Sequence, residues 1–137
     1  MLNNKTKARL IVFSAPSGAG KSSLIKEVVS NSSGNIDLSI SATTRPQRNG
    51  EEHGRDYFFI SDEEFNKLKD QNSFIEYANV YGYQYGTLKS FVDEKIKNDI
   101  NVILDIDVQG FDLIRSSIKE HVSIFIIPPS IMELENR

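Results

Sequence analysis

Short apolar runs separated by polar turns indicate that strands and helices alternate along this chain. Residues 9–14 predict a buried strand, and residues 21–30 predict a helix with one apolar face. Residues 38–42 predict a second strand. Strands that alternate with helices pack as a parallel sheet covered by those helices, so the pattern indicates an α/β fold.

The last third of the chain continues this alternation. Residues 102–107 and 122–127 are nearly continuous apolar runs, as expected for central parallel strands that are covered on both faces. Residues 111–118 carry apolar side chains at helical spacing. Pro128 ends the last strand, and Ser130 is placed to cap a further helical turn.

The middle third departs from the alternation. Residues 57–60, 74–80 and 83–85 predict short strands, whereas residues 61–68 predict a helix with a capping box at its start. Apolar residues return to helical spacing from Thr87. We therefore predict one domain with two parts, a core from residues 1–41 and 88–137 and an inserted β-rich lobe from about residues 42–87.

Composition narrows the functional classes. At 137 residues the chain has the length of about one domain. Its net charge of −3 does not support non-specific binding to nucleic acids, and no apolar run is long enough to cross a membrane. The sequence contains no cysteine, which excludes a disulfide framework and fits a cytoplasmic location.

A glycine-rich segment between the first strand and the first helix predicts a phosphate-binding loop. Its small residues let backbone N–H groups converge on an anion, and the helix N-terminus adds partial positive charge. Lys21 supplies a mobile cation for the outer phosphates, and the Ser22 hydroxyl is a ligand for Mg²⁺. The strict pattern has glycine where this chain has Ala15, and an ordinary glycine-containing turn is the alternative.

Two carboxylates end the apolar run that begins at Val102. An apolar strand that ends in aspartate is the usual second part of a phosphate-loop site, because the carboxylate holds Mg²⁺ directly or through its water shell. The alternative is an acidic strand end at the surface. The sequence leaves open whether Asp105 or Asp107 faces the metal.

The polar segment after the second predicted strand carries two arginines on either side of Pro46. The planar guanidinium groups of Arg45 and Arg48 are suited to bidentate contacts with phosphate oxygens. The phenols of Tyr57 and Tyr85 are further donors in the same lobe. A second phosphate-bearing substrate is therefore one interpretation, and a solvated surface pair is the other.

Glu76 lies between apolar neighbours in a predicted strand. Period-two alternation allows it to face solvent. If it is buried it needs a partner, and a purine base is one candidate. Guanine presents two adjacent donors that a carboxylate accepts together, whereas adenine lacks that pair, so such a site would discriminate between the two bases.

Together these features resemble the guanylate kinase family, enzymes that transfer a phosphoryl group from ATP to GMP. The segments that carry the resemblance occur in the family's order and cover almost the whole chain. They are residues 14–23, 41–51, 56–59, 74–78, 85–87, 103–110 and 125–130.

The resemblance implies a P-loop nucleoside-monophosphate-kinase fold in which the inserted lobe binds GMP or dGMP. It implies catalytic roles for Lys21, Asp105 and Asp107, and Mg²⁺ held by Ser22 with one of the aspartates acting through water. The implied ATP-binding residues are Ala15, Pro16, Ser17, Gly18, Ala19, Gly20, Lys21 and Ser22.

The resemblance also implies two sets of GMP ligands, one for the phosphate and one for the base. The implied phosphate ligands are Arg45, Arg48, Tyr57 and Tyr85, with Glu51 orienting an arginine. The implied guanine ligands are Ser41, Glu76 and Thr87, with Asp105 nearby.

The sequence departs from the family pattern at its C-terminus, because family members continue into a mobile lid with arginines and then into a last strand and helix. We expect either a fragment of a longer protein or a short form whose exposed apolar surface favours self-association. A non-catalytic guanylate-kinase-like binding module is the alternative function, and the intact loop with Gly18, Gly20 and Lys21 argues against it.

Because lid arginines stabilise charge on the transferred phosphoryl group, we expect this chain to bind GMP but to turn over much more slowly than a family member with a lid. A coupled assay with ATP, Mg²⁺ and GMP measures this. Near-normal turnover would contradict the expectation.

Overall fold

The computed structural model describes residues 8–14, 20–106, 114 and 121–125. The predicted helix over 111–118, apart from Ile114, and the predicted turn after Pro128 lie outside the described residues. The helices are α1 (Lys21–Ser30), α2 (Asp62–Asp70) and α3 (Lys89–Lys97). The strands are β1 (Leu10–Ser14), β2 (Ile36–Leu38), β3 (Ala42–Thr43), β4 (Phe58–Phe59), β5 (Phe74–Val80), β6 (Tyr83–Leu88), β7 (Asn101–Asp105) and β8 (Val122–Phe125).

The first sheet has the strand order β2-β7-β1-β8, and all of its pairs are parallel. In β1, Leu10 pairs with Val102 and Phe13 pairs with Asp105. The carboxyl ends of β1 and β7 therefore meet at one edge, where ligands bind in open α/β sheets. This confirms the predicted parallel α/β core, and helix α1 begins and ends where the sequence predicts.

The second sheet has the order β4-β3-β6-β5, in which β6 pairs antiparallel with both β3 and β5. The single strand predicted over residues 38–42 is wrong, because the chain leaves β2 at Leu38 and enters β3 at Ala42 in the other sheet. The helix predicted from Thr87 also begins later, at Lys89, because Leu88 still pairs with Phe74 in the hairpin.

Apolar side chains cover both faces of the first sheet. On one face Phe13 and Ile103 pack with Ile25 of α1. On the other face Val12 and its neighbours on β7 pack with Val92 of α3. A parallel sheet with a helix on each face needs apolar residues in consecutive positions, which explains the unbroken runs in the sequence.

The capped helix predicted in the middle third is confirmed. The backbone N–H of Glu64 donates to Ser61 Oγ at 3.1 Å, and α2 follows directly. This bond satisfies one of the N–H groups that the first turn of a helix leaves without an internal partner. None of the described helices is long and apolar enough to span a lipid bilayer.

A register shift in β5 breaks the alternation of its side chains. The shift lies between Phe74 and Glu76, and the three residues from Phe74 to Glu76 are all buried. Phe74 packs with Phe65 in the core of the second sheet, whereas Ile75 packs into the core of the first sheet. Glu76 then pairs with Thr87 of β6. The solvent-facing alternative for Glu76 is therefore wrong, because its side chain is buried where it pairs with β6.

Gly86 allows two phenylalanine rings to pack against strand β6. The rings of Phe65 and Phe74 stack with centroids 4.5 Å apart. A Cβ atom at Gly86 would lie 2.8 Å from Cδ1 of Phe74 and 3.2 Å from Cζ of Phe65. These rings are buried in the small core beneath the sheet, so the backbone of β6 approaches them as closely as it does only because residue 86 lacks a side chain.

Gly86→Ala is expected to lower the free energy of unfolding by about 1–3 kcal/mol, because the added methyl group overpacks this core. Urea denaturation measures the change. In a Phe74→Leu background the same substitution should cost less, since the ring that the methyl group would meet is absent. An equal cost in both backgrounds would contradict the packing explanation.

Candidate nucleotide-binding site

Lys21 and Asp105 meet at the carboxyl edge of the first sheet. Lys21 begins α1 directly after Gly20, which has the left-handed φ of 83°. Its Nζ lies 2.7 Å from Asp105 Oδ1 and donates to the carbonyl of Ile106 at 3.1 Å. The contact follows from topology, because β1 and β7 are parallel neighbours and deliver both groups to one edge. Ser22 is exposed beside them.

The structure thus brings together the described part of the predicted phosphate loop and one of the two predicted aspartates. The remaining predicted residues at this end, Ala15, Pro16, Ser17, Gly18, Ala19 and Asp107, lie outside the described residues.

Arg45 forms a bidentate ion pair with Glu51 in the second sheet's loop. Nη1 and Nη2 of Arg45 donate to Oε1 and Oε2 of Glu51, each at 2.8 Å, and Nη1 also donates to the Pro46 carbonyl at 3.0 Å. Glu51 Oε1 accepts a further bond from the backbone N–H of Arg48 at 2.9 Å. Glu51 therefore orients Arg45 and shapes the loop that carries Arg48, whose side chain is exposed.

This ion pair shifts the ionisation of both partners. The hydrogen bonds from Arg45 hold the pKa of the Glu51 carboxyl at about 2, although burial acts in the opposite direction, and the Arg48 N–H lowers it further. The pKa of Arg45 is raised, chiefly by its hydrogen bond to Glu51. Each group favours the charged form of the other, so in the folded chain Glu51 stays ionised at pH values below its ordinary pKa of 4.5.

Aromatic rings enclose the Arg45 guanidinium. Its Cζ lies 5.2 Å from the ring centroid of Tyr57 and 5.9 Å from that of Phe59. The Tyr57 ring in turn meets the Tyr85 ring edge-on at 5.9 Å. Arg45 is 6% exposed as a result, so its cation is held in a fixed position. The sequence analysis did not predict a role for Phe59. Its position two residues after Tyr57 was the available signal, because residues i and i+2 of a strand lie on the same face.

The buried carboxylate of Glu76 accepts a hydrogen bond from Thr87. Thr87 Oγ1 donates to Glu76 Oε1 at 2.7 Å, and the two residues face each other across the β5–β6 hairpin. Glu76 is 8% exposed and Thr87 is 1% exposed. A carboxylate and a hydroxyl in this arrangement form a polar surface able to recognise adjacent N–H donors.

A cleft with a volume of about 160 Å³ lies between the two sheets. Four of the predicted nucleotide-binding residues line it, namely Ser41, Tyr57, Thr87 and Asp105. Its remaining walls are Leu38, Ser39, Asp56, Leu104 and Ile106. The cleft therefore runs from the Lys21–Asp105 pair to residues of the second sheet. The sequence predicted no role in the site for Ser39 or Asp56.

Two threonines attach the arginine loop to β6, and the sequence reading missed them. Thr43 Oγ1 donates to the Gln84 carbonyl at 2.9 Å and accepts from the Arg45 N–H at 3.1 Å. The Gln84 N–H donates to Thr44 Oγ1 at 2.9 Å, and the Thr44 N–H donates to the Gln84 carbonyl at 3.1 Å. Paired threonines before an arginine were the only available signal.

A parallel α/β core with a helix starting in Gly-Lys-Ser, together with a second sheet inserted between its strands, defines the P-loop nucleoside-monophosphate-kinase class. The family model described as guanylate kinase matches residues 7–137. The chain belongs to the guanylate kinase family.

Named relatives agree with this assignment. The chain is 47% identical over 131 residues to the guanylate kinase of Thermotoga maritima, with 96% of this chain covered, and 49% identical over 134 residues to that of Blochmanniella floridana, with 97% covered. It also resembles the crystal structure of guanylate kinase from Anaplasma phagocytophilum, with a TM-score of 0.71, 36% identity and 97% of this chain covered. The chain spans 63%, 64% and 66% of the lengths of these three proteins.

The Glu51 ion pair predicts a pH-dependent part of stability. In the unfolded chain Glu51 takes up a proton near its ordinary pKa of 4.5, whereas in the folded chain it does so only near 2. The contribution of the Glu51 ion pair to the free energy of unfolding is therefore nearly complete above pH 4.5 and is lost as the pH falls towards 2. The difference in free energy of unfolding between the native chain and Glu51→Gln should be nearly constant above pH 4.5 and should shrink as the pH falls from 4.5 towards 2.

Urea denaturation of both proteins at several pH values measures this difference. Glu52→Gln is the matched control, because Glu52 forms an exposed pair with Arg55 and exposed pairs contribute little. A constant difference between the native chain and Glu51→Gln would contradict the proposed source of the pH dependence.

Proposed function

We propose that this domain binds GMP or dGMP in the cleft between its two sheets and acts in the transfer of the γ-phosphoryl group of ATP to that nucleotide, which yields GDP and ADP. One observation carries the proposal. The cleft is lined at one end by Asp105, which contacts Lys21, and elsewhere by Tyr57 and Thr87, which contact Arg45 and Glu76 respectively. Groups suited to two phosphates and a base thus contact residues that line one cavity.

The base-binding role rests on Glu76 and Thr87. Guanine presents N1–H and an amino group as adjacent donors, and a buried carboxylate is suited to accept both. Adenine lacks this pair of donors and would leave the carboxylate mismatched, which costs binding free energy in a buried site. Ser41 lines the same cleft and is a further proposed ligand.

The monophosphate is proposed to bind beside Arg45, with Arg48, Tyr57 and Tyr85 as further donors. A guanidinium carries five N–H donors, so the bonds from Arg45 to Glu51 and Pro46 do not exhaust it. Because Glu51 and the aromatic rings hold this cation in place, little ordering remains to be done when a phosphate binds.

The ATP phosphates are proposed to bind at the start of α1, with Lys21 supplying positive charge to the transferred group. The hydroxyl of Ser22 and the carboxylate of Asp105 are hard oxygen ligands of the kind that Mg²⁺ prefers, and a few such groups suffice because Mg²⁺ keeps several waters and binds phosphate oxygens. Mg²⁺ held there would neutralise charge on the phosphates. The chain's own groups bind the two nucleotides and orient them for in-line transfer.

The proposal predicts selective stabilisation by GMP. The melting temperature of the chain should rise with GMP and remain unchanged with AMP at the same concentration, because only a ligand that prefers the folded state stabilises it. A thermal-shift titration measures both. Equal stabilisation by the two nucleotides, or none by GMP, would contradict the proposed function.

Glu76→Gln is expected to weaken GMP binding by about tenfold or more, since an amide accepts only one of the two guanine donors. The preference for GMP over AMP should fall with it. Glu63→Gln, on the exposed face of α2, is the matched control and should bind GMP as the native chain does. If Glu76→Gln retains native GMP affinity, the assignment of base recognition to Glu76 is wrong.

A further inference from the structure

Thr43 joins the arginine loop to the strand that carries the base-recognition residue. Its side chain is fully buried, and its hydroxyl group makes one bond in each direction. It donates to the carbonyl of Gln84 on β6 at 2.9 Å, and it accepts from the backbone N–H of Arg45 at 3.1 Å. Gln84 lies three residues before Thr87 on the same strand.

Loss of this hydroxyl would affect Arg45 more than Gln84. The Gln84 carbonyl also accepts the N–H of Thr44 at 3.1 Å, so it keeps a donor. The Arg45 N–H would lose the bond to Thr43 inside a buried site, and a buried donor without a partner is costly enough for the backbone to shift. A displacement of the Arg45 backbone would move its guanidinium relative to Thr87.

We infer that Thr43 is a positioning residue that sets the distance between the phosphate-binding arginine and the base-recognition strand. The inference rests on the proposed function and extends it to a residue that touches neither part of the nucleotide. It makes phosphate recognition depend on a hydroxyl group that is buried behind the site.

Thr43→Val tests the inference, because valine keeps the shape and strand preference of threonine and removes only the hydrogen-bonding capacity. Titrations with GMP and with guanosine separate the two halves of recognition, since these ligands differ only in the phosphate. The ratio of the two affinities should fall about tenfold in Thr43→Val, with guanosine binding retained. General destabilisation of the fold would lower both affinities together.

Thr44→Val is the matched control. Thr44 is the adjacent threonine, and its hydroxyl accepts from the same residue, Gln84, at 2.9 Å, but has no bond to Arg45. Its ratio of GMP to guanosine affinity should stay at the native value. Thr43→Ser keeps the hydroxyl and should also keep the native ratio. If Thr43→Val does not fold, Thr43→Ser and Thr43→Ala give the same comparison, because only the hydroxyl separates them.

The outcomes are distinct. If the native chain does not bind GMP, the proposed function fails and the inference fails with it. If the native chain binds GMP but Thr43→Val keeps the native affinity ratio, the inference alone is wrong. An equal fall in Thr44→Val would also overturn it, because the effect would then belong to the β3–β6 attachment as a whole.

Discussion

Neighbouring residues of β5, Phe74 and Ile75, pack into different hydrophobic cores, and the second sheet is held against the first through them. Adjacent residues of a strand point to opposite faces, so each of the two enters one core. The register shift that follows Phe74 places Glu76 opposite Thr87 of β6, where Glu76 is buried. The position of this carboxylate therefore depends on the strand pairing and on the packing of both cores.

Periodicity was enough to predict the parts of the fold that depend on local sequence. The runs that became β1 and β7, the start and end of α1, and the Ser61 cap all follow from residues close together in the chain. The strand predicted over residues 38–42 was wrong because the alternation of apolar and polar residues is unbroken there, whereas the chain crosses between two sheets within the segment. Only contacts with β7 on one side and β6 on the other divide the segment, and a local pattern does not contain them.

The site shows the same limit. Charge and spacing single out Lys21, Arg45 and Glu76, because ionisable groups beside glycine, proline or apolar runs are conspicuous. Thr43 and Phe59 are inconspicuous in sequence, because Phe59 meets Arg45 from β4, and Thr43, which bonds to the Arg45 N–H, is held by Gln84 of β6. The residues proposed to bind are therefore easier to predict than the residues that hold them in place. The latter depend on which strands become neighbours, and this is decided by the whole fold.

Two cations of the proposed site, Arg45 and Lys21, are paired in different ways, and the difference matters for the proposed chemistry. Arg45 is buried with both oxygens of Glu51 and two aromatic rings, so it is fixed before any ligand arrives. Lys21 is paired with Asp105 through a single short contact, and the Asp105 side chain is 34% exposed. A flexible ammonium in a partly solvated pair exchanges partners at little cost, whereas a buried bidentate guanidinium does not. Under the proposed function, the same chain supplies a rigid anchor for one phosphate and a movable charge for the other, an arrangement that suits the transfer of a group between two bound nucleotides.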